Sequence, residues 1–389
     1  MQGHEVLIFH DDVSTPGFIP SKPFSIEWPH GSPVENHFPM QSESAFRGML
    51  KYWDPDVVGF SCTTSDYWLG VYMASIAKEY GCRIVFGGPH ASLLPKAVLC
   101  HADSVVVGEG ESVVASAAFN PSVPPDSIIQ AEPIIDLDEV LPARDMVLGG
   151  DLYVPYLKGL VQTQRGCPYS CGFCSAPTIF GSKVRTRNPQ AVRDEIKSLG
   201  VLSGRLVDDS FAVKRDQGVA ICEALKGLNF HWNCDMALRD IDSELAALMH
   251  GAGCYQINIG LESATQKWQE LSGKRVSEQE SLHAVELLKK NGMTSNFYFM
   301  VGYPGETVEE ALDTLKWASR IKDVGGNPHI SSVTPYPGTK LMEVARRFNP
   351  DWTPTYSTKF MHQNVHPELL SGDHEAWQEV FALANRLNG

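Results

Sequence analysis

The sequence predicts two α/β units in tandem: a doubly wound parallel sheet, then a partial (β/α)6 barrel with a short helical tail. Three observations carry this. Short apolar runs alternate with amphipathic stretches along most of the 389 residues, the pattern of parallel strands covered by helices. The alternation breaks in a proline-rich, acidic stretch and then resumes. Most of the early runs end in loops rich in glycine, hydroxyls or carboxylates, where open α/β sheets place their ligands. The expected boundaries are 1–125 for the first domain, 126–158 for a connector, 159–348 for the barrel and 349–389 for the tail.

In the first domain, strands are expected at Glu5–Phe9, Val57–Phe60, Arg83–Phe86 and Ser104–Val107, with helices at Ser42–Trp53 and Trp68–Tyr80. The strands are short, β-branched and apolar, as buried parallel strands are. Ser61 and Thr63 follow one strand with hydroxyls. Gly87, Gly88 and His90 follow the next, and Gly108 and Glu109 the last. Glycines there let a ligand approach the backbone. Residues His10 to Met40 hold six prolines and four aromatics. A loop of roughly 30 residues in a compact domain is usually functional or disordered, and the aromatics favour an ordered flap.

In the second domain, six strands are expected at Leu160–Gln164, Arg205–Asp208, Phe230–Asp235, Tyr255–Gly260, Ser295–Val301 and His329–Thr334. Helices follow at 189–199, 216–227, 242–251, 278–291, 307–322 and 339–347, and one more in the tail at Asp373–Leu387. Six repeats make three-quarters of a barrel, whose strand ends converge on one catalytic face.

The first loop on that face holds Cys167, Cys171 and Cys174, spaced C-x3-C-x2-C. Three thiols this close cannot all pair as disulfides, but all can turn toward one metal centre, and thiolates suit iron–sulfur clusters. Three ligands on a cubane of four irons leave one iron open. Zinc is the rival occupant, but it normally takes four ligands. The other cysteines, 62, 82, 100, 222, 234 and 254, read as small buried hydrophobes.

The net charge is -14, so a polyanionic partner would need a local basic patch. The densest, Lys183 to Arg187, is short and follows the cysteine loop, where it reads as local structure. A small-molecule substrate is expected, with no nucleic acid as partner. No apolar run reaches the roughly 20 residues that span a bilayer, so no membrane partner is expected either. The first residues, Met1-Gln2-Gly3-His4-Glu5, lack the basic region of a signal peptide; a cytoplasmic location is expected, with thiols reduced.

The cysteine loop, with Phe173 before its last cysteine, resembles the radical S-adenosylmethionine (SAM) superfamily. So do Val207-Asp208-Asp209-Ser210-Phe211, Gly260-Leu261-Glu262-Ser263, Phe299 to Thr307 and Thr334 to Thr339. The first domain resembles the cobalamin-binding domain of one branch of these enzymes. The resemblance covers roughly residues 5 to 345. It implies a 4Fe-4S cluster on Cys167, Cys171 and Cys174, with SAM on the open iron and an external one-electron donor such as flavodoxin or ferredoxin. It implies adenine contacts near Phe173, Gly302 and Gly305, methionine amino contacts at Asp208, Asp209 and Ser210, and ribose contacts at Glu262. A carboxylate can accept from two hydroxyls. Arg239 could pair with the methionine carboxylate.

Cobalamin is implied at Ser61, Thr63, Gly87, Gly88, His90, Gly108 and Glu109, although the D-x-H-x-x-G motif is absent. His10, His30 and His37 are candidate axial ligands. Cobalamin-dependent C-methylation of a small molecule is the leading expectation. The alternatives are a non-methylating radical dehydration, rearrangement, cyclisation or decarboxylation in natural-product biosynthesis, and an iron–sulfur redox or sensing module. A second cluster on Cys62, Cys82 and Cys100 is not expected: strand order puts the first two at opposite sheet edges.

Overall fold

In a computed structural model, the structure describes residues 24–26, 34–36, 40–120, 122–144, 159–352 and 365–388. The expected strand at Glu5–Phe9, and His10, His30 and His37, lie outside them. The chain divides into two compact units.

The first unit contains a short antiparallel pair, β1 (Phe24–Ile26) and β2 (Val34–Asn36). Helix Met40–Trp53 then leads into a parallel sheet of β3 (Val57–Ser61), β4 (Arg83–Gly87), β5 (Ser104–Val107) and β6 (Ser127–Gln130), hydrogen-bonded in that order. Ile84, Phe86 and Val105 are fully buried at its centre, against helix Tyr67–Glu79. The Phe60 and Phe86 rings stack at 5.1 Å. β6 falls within the expected connector. Its half-exposed Ser-Ile-Ile-Gln pattern lacks the apolar run of an inner parallel strand, because it stands at the sheet's edge with one neighbour.

The second unit holds six parallel strands: β7 (Leu160–Val161), β10 (Ser203–Leu206), β11 (His231–Met236), β12 (Cys254–Glu262), β13 (Thr294–Val301) and β14 (Asn327–Ser332). They pair strictly in chain order, so the partial barrel is present as the sequence predicts. Ile257, Ile259, Phe297, Phe299 and Trp317 pack its outer face against the helices. Helix boundaries follow local chemistry. Asn188 caps helix Pro189–Leu199, proline sits in its first turn, and left-handed Gly200 ends it. Ser277 and Thr307 form capping boxes with Glu280 and Glu310.

Two details were not foreseen. The first barrel strand is only two residues long. The chain then turns into β8 (Gln164–Arg165), which pairs antiparallel with β9 (Arg185–Thr186). Residues 166–184, with all three cysteines, are thus a loop clamped at its base. The basic run here is structural, as expected: Arg187 is buried, pairing with Glu195 and, at 2.8 Å, with Asp138. Removing one partner from such a buried network costs about 3–5 kcal/mol.

At the far edge, the Asn388 side chain of helix His374–Asn388 donates to the Ile330 carbonyl (2.9 Å) and accepts the Ile330 N–H (2.6 Å). It stands where a seventh strand would pair, covering an otherwise open edge. Trp377 is buried on the inner side of this helix.

Candidate active site

The cysteine loop is fixed by backbone bonds. The Cys167 N–H donates to the Gly181 carbonyl (3.3 Å), and the Cys174 N–H to Cys171 (3.1 Å). The Gly172 peptide is held on both sides: its N–H donates to the Leu271 carbonyl and its carbonyl accepts from Leu341 N–H, each at 2.8 Å. A Cβ on Gly172 would lie 2.5 Å from the Leu271 oxygen, which is why only glycine fits between the loop and the helix after β12.

Upstream, one carboxylate sets the turn into the loop. Asp208 accepts the Thr163 N–H (2.7 Å), the Thr163 hydroxyl (2.5 Å) and the Gln164 N–H (3.0 Å). Burial raises its carboxyl to about 6, against the pull of these donors. Asp208 therefore works inside the protein, steering β7 into β8. Ser210 does likewise: its hydroxyl accepts the Ala237 N–H and its carbonyl the Gln164 amide. Asp209 stands exposed, its carboxyl raised by its surroundings and then by Asp235.

The three thiols are free; Cys171 acts electrostatically on Cys167, and both act on Cys174. Burial raises all three, Cys174 to about 11, so bare thiolates are disfavoured here without a cation. The Ala176 N–H donates to the Cys174 sulfur at 3.4 Å. Among the described residues, no three His, Cys, Asp or Glu side chains already converge in metal-holding geometry. The chemistry of the set still fits a cluster: three coupled soft donors on one clamped loop, with a cation beside them.

That cation is Lys274, which sequence reasoning missed. Its ammonium lies 2.5 Å from Glu262 and 3.2 Å from the Gly260 carbonyl, and sits over the Phe173 ring at 5.8 Å. Burial opposes its charge, but Glu262, Cys171 and Cys174 outweigh that and raise its pKa. Glu262 is itself buried, in a left-handed backbone conformation (φ 72°) that a β-strand normally excludes. Strain of this kind clusters at functional sites. Lys274 sits in an irregular turn twelve residues beyond Glu262, where no periodic pattern marks it.

Arg239 lies over the Tyr169 ring of the cysteine loop (4.8 Å) and donates to the Gly273 carbonyl (3.0 Å). Tyr169 in turn donates to Asp240. The structure thus brings Cys167, Cys171, Cys174, Phe173, Glu262 and Arg239 around one loop. Phe173 packs with Trp268, Tyr303 and Leu341. The room at Gly302 and Gly305 is taken by protein. Leu370 and Phe381 lie beside Gly302, and Phe348 beside Gly305. The Gly305 N–H donates to Leu369, and the Gly302 N–H to Glu306. Gly302 makes space for the tail and Gly305 for the end of helix Lys340–Phe348, rather than an open cradle.

In the first unit, Ser61 and Thr63 are exposed at the carboxyl end of β3. Gly88 (φ 83°) lets the two adjoining strand ends meet: a Cβ there would lie 2.8 Å from the Ser61 hydroxyl and 2.9 Å from Cys62 N. His90 corrects the sequence expectation. It is buried, stacked on Tyr67 at 4.1 Å, with Thr64 at 3.1 Å from Nδ1, and burial lowers its pKa to about 4. It is a neutral core residue, not a group presented at the ligand edge. Glu109 is also buried, accepting from Ile134 N–H. The Gly108 N–H is taken by Ser92. Exposed hydroxyls and a glycine that draws two strand ends together still suit a ligand at this edge.

Comparison with known proteins agrees with this geometry. Residues 161–318 match the Radical SAM superfamily and residues 30–118 the B12 binding domain. An uncharacterized methyltransferase of Pyrococcus horikoshii is 31% identical over 329 residues, covering 76% of this chain and 71% of the relative. An anaerobic magnesium-protoporphyrin IX monomethyl ester cyclase of Rubrivivax gelatinosus is 29% identical, covering 78% and 60%. The structure of TsrM from Kitasatospora setae, a radical SAM methyltransferase with cobalamin and a [4Fe-4S] cluster bound, superposes with a TM-score of 0.69 at 17% identity, covering 89% of this chain and 83% of that one. The chain belongs to the radical SAM superfamily, in the branch that carries a B12-binding domain. It is a radical SAM enzyme whose cofactors are a 4Fe-4S cluster, SAM and cobalamin. Among the described residues no helix is long and apolar enough to cross a membrane.

Proposed function

We propose that this enzyme methylates carbon on a small molecule. The observation that carries the reading is the pairing of the two cofactor domains in one chain, supported by a relative named as an uncharacterized methyltransferase that matches 76% of this chain. When bound, the cluster and SAM supply a 5′-deoxyadenosyl radical and the corrin a methyl carrier.

The chain's own residues hold and orient. Cys167, Cys171 and Cys174 hold the cluster. Lys274 offsets the charge of their thiolates and fixes Glu262 through Oε1, leaving Oε2 for a ribose hydroxyl. Arg239 offers its remaining guanidinium donors to the methionine carboxylate. Asp209 is the open carboxylate for the amino group, while Asp208 and Ser210 position the turn beneath it. Phe173 contributes backbone near the adenine. Ser61, Thr63, Gly87, Gly88 and Gly108 form the edge that faces the corrin. A flavodoxin- or ferredoxin-type donor supplies the electron.

The resemblance to a cyclase supports a second reading, radical ring closure without methyl transfer. Product mass separates them. With cobalamin, SAM and a reductant, a gain of one methyl group supports the first. Turnover to a product with no added methyl overturns it in favour of the second.

A further inference from the structure

The concave face of the partial barrel carries a feature that the cofactor site does not use. Asp235, Asn258, Asn296 and Asn327 stand in register on four adjacent strands. Their side chains join in a row: Asn258 donates to Asp235 (2.9 Å), Asn296 to Asn258 (3.0 Å) and Asn327 to Asn296 (3.4 Å). Arg205 closes the row on Asp235 at 2.5 Å. Closed barrels fill this space with branched apolar layers. Here the floor is polar and its groups satisfy one another.

One layer nearer the strand ends, Gly260, Tyr298 and His329 are in register. The glycine puts no side chain there. The Tyr298 and His329 rings stack, centroids 5.1 Å apart and 21° from parallel. Tyr298 is 37% exposed. A cavity of about 590 Å³ opens beside the pair at the β14 edge, with Val301, Ile330 and Phe381 as apolar walls and Ser331, Ser332 and Asn385 as polar ones. That volume is in the range of small-molecule sites. A hydrocarbon seated here would strip water from the Ser331 and Ser332 hydroxyls and the Asn385 amide without replacing it. A flat ring with polar substituents loses nothing: its face continues the stack, and its substituents reach the serines and Asn385. Burial lowers the His329 pKa, so its ring is neutral and offers one donor and one acceptor.

We propose that this cavity seats the substrate, and that it selects a planar aromatic or heteroaromatic ring bearing hydrogen-bonding groups, stacked on the Tyr298–His329 pair. The proposal rests on the reading that this enzyme acts on a small molecule, and it adds the class. Saturation-transfer NMR on the full chain, loaded with cluster and cobalamin, tests it with benzamide and its saturated counterpart, cyclohexanecarboxamide. Benzamide should bind and the saturated probe should not. Tyr298→Ser should weaken benzamide roughly 3- to 10-fold, the worth of one aromatic contact, and Tyr298→Phe should restore it. His329→Leu, which removes the other ring, keeps the test open if Tyr298→Ser fails to fold. Equal binding of both probes, or full benzamide binding without either ring, overturns the proposal. A rise in 5′-deoxyadenosine release when a low-molecular-weight cell extract is added to the reduced, SAM-loaded wild-type protein tests the parent reading separately. A rise without benzamide binding sinks the pocket alone; benzamide binding with no rise sinks the parent reading and leaves the pocket.

Discussion

Replacing Lys274 by Met should separate the structural from the binding work of the Glu262–Lys274 pair. The Glu262 side chain is only 7% exposed and Lys274 16%, so losing the ammonium strands a buried carboxylate. It also takes a donor from the Gly260 carbonyl. Breaking a buried pair from one side costs about 3–5 kcal/mol. At about 2–4 °C per kcal/mol for a domain of this size, the melting temperature should fall by roughly 6–20 °C. The double variant Glu262→Gln/Lys274→Met removes both charges and should recover to within about 1–2 kcal/mol of wild type. SAM affinity, measured calorimetrically on cluster-loaded protein, should not recover, because the amide offers the ribose one neutral acceptor oxygen in place of a carboxylate's two charged ones. Thermal unfolding under anaerobic conditions supplies the first readout. The reasoning is refuted if Lys274→Met melts with the wild type, or if the double variant is no more stable than the single.

Gly172→Ala should lower iron and sulfide content after anaerobic reconstitution and destabilise the fold by about 2–4 kcal/mol, two hydrogen bonds being displaced; wild-type iron content would count against the clamp. Cys174→Ala should abolish stable cluster binding while leaving the circular dichroism spectrum near wild type, and retention of a full cluster would remove this cysteine from the ligand set. Glu306 is buried and accepts the Gly302 and Tyr303 N–H groups, and burial raises its carboxyl to about 8. The folded state therefore keeps a proton that the unfolded chain releases above the ordinary 4.5. Its contribution is complete below that value and is lost as pH rises toward 8. Glu306→Gln keeps an acceptor for both N–H groups, so it should flatten the melting temperature across that window; an unchanged slope would show that Glu306 is not the titrating group.

Helices were legible where the chain punctuates itself. Asn188, Pro189 and Gly200 fix both ends of one helix, and 189–199 is read and observed alike. The buried strands β12 and β13 were legible as short runs set between amphipathic helical stretches. β6 was not, because an edge strand needs only one neighbour and shows no inner run. The β8–β9 clamp was invisible for a different reason: two residues on each side carry no periodicity, and Asp208 defines the turn only through contacts more than 40 residues away in sequence. The three cysteines were legible because ligand spacing is local. Lys274 was not, because its significance lies in meeting Glu262, Phe173 and Cys171 across a turn. His90 misled: a histidine after a glycine pair at a strand end looks like a ligand, but its ring turns inward onto Tyr67.

The Gly172 peptide joins the cysteine loop to Leu271, just after β12, and to Leu341, just after β14. Those two bonds make cluster assembly and closure of the barrel's upper rim linked equilibria. Linkage is reciprocal: whatever free energy the filled loop lends to the Leu271 and Leu341 junctions, those junctions return to iron affinity by the same factor. Amide exchange at Gly172 and Leu341 is thus a gauge of metal loading that needs no view of the metal itself. A substitution in either flanking helix can tune the cluster without coming near a cysteine.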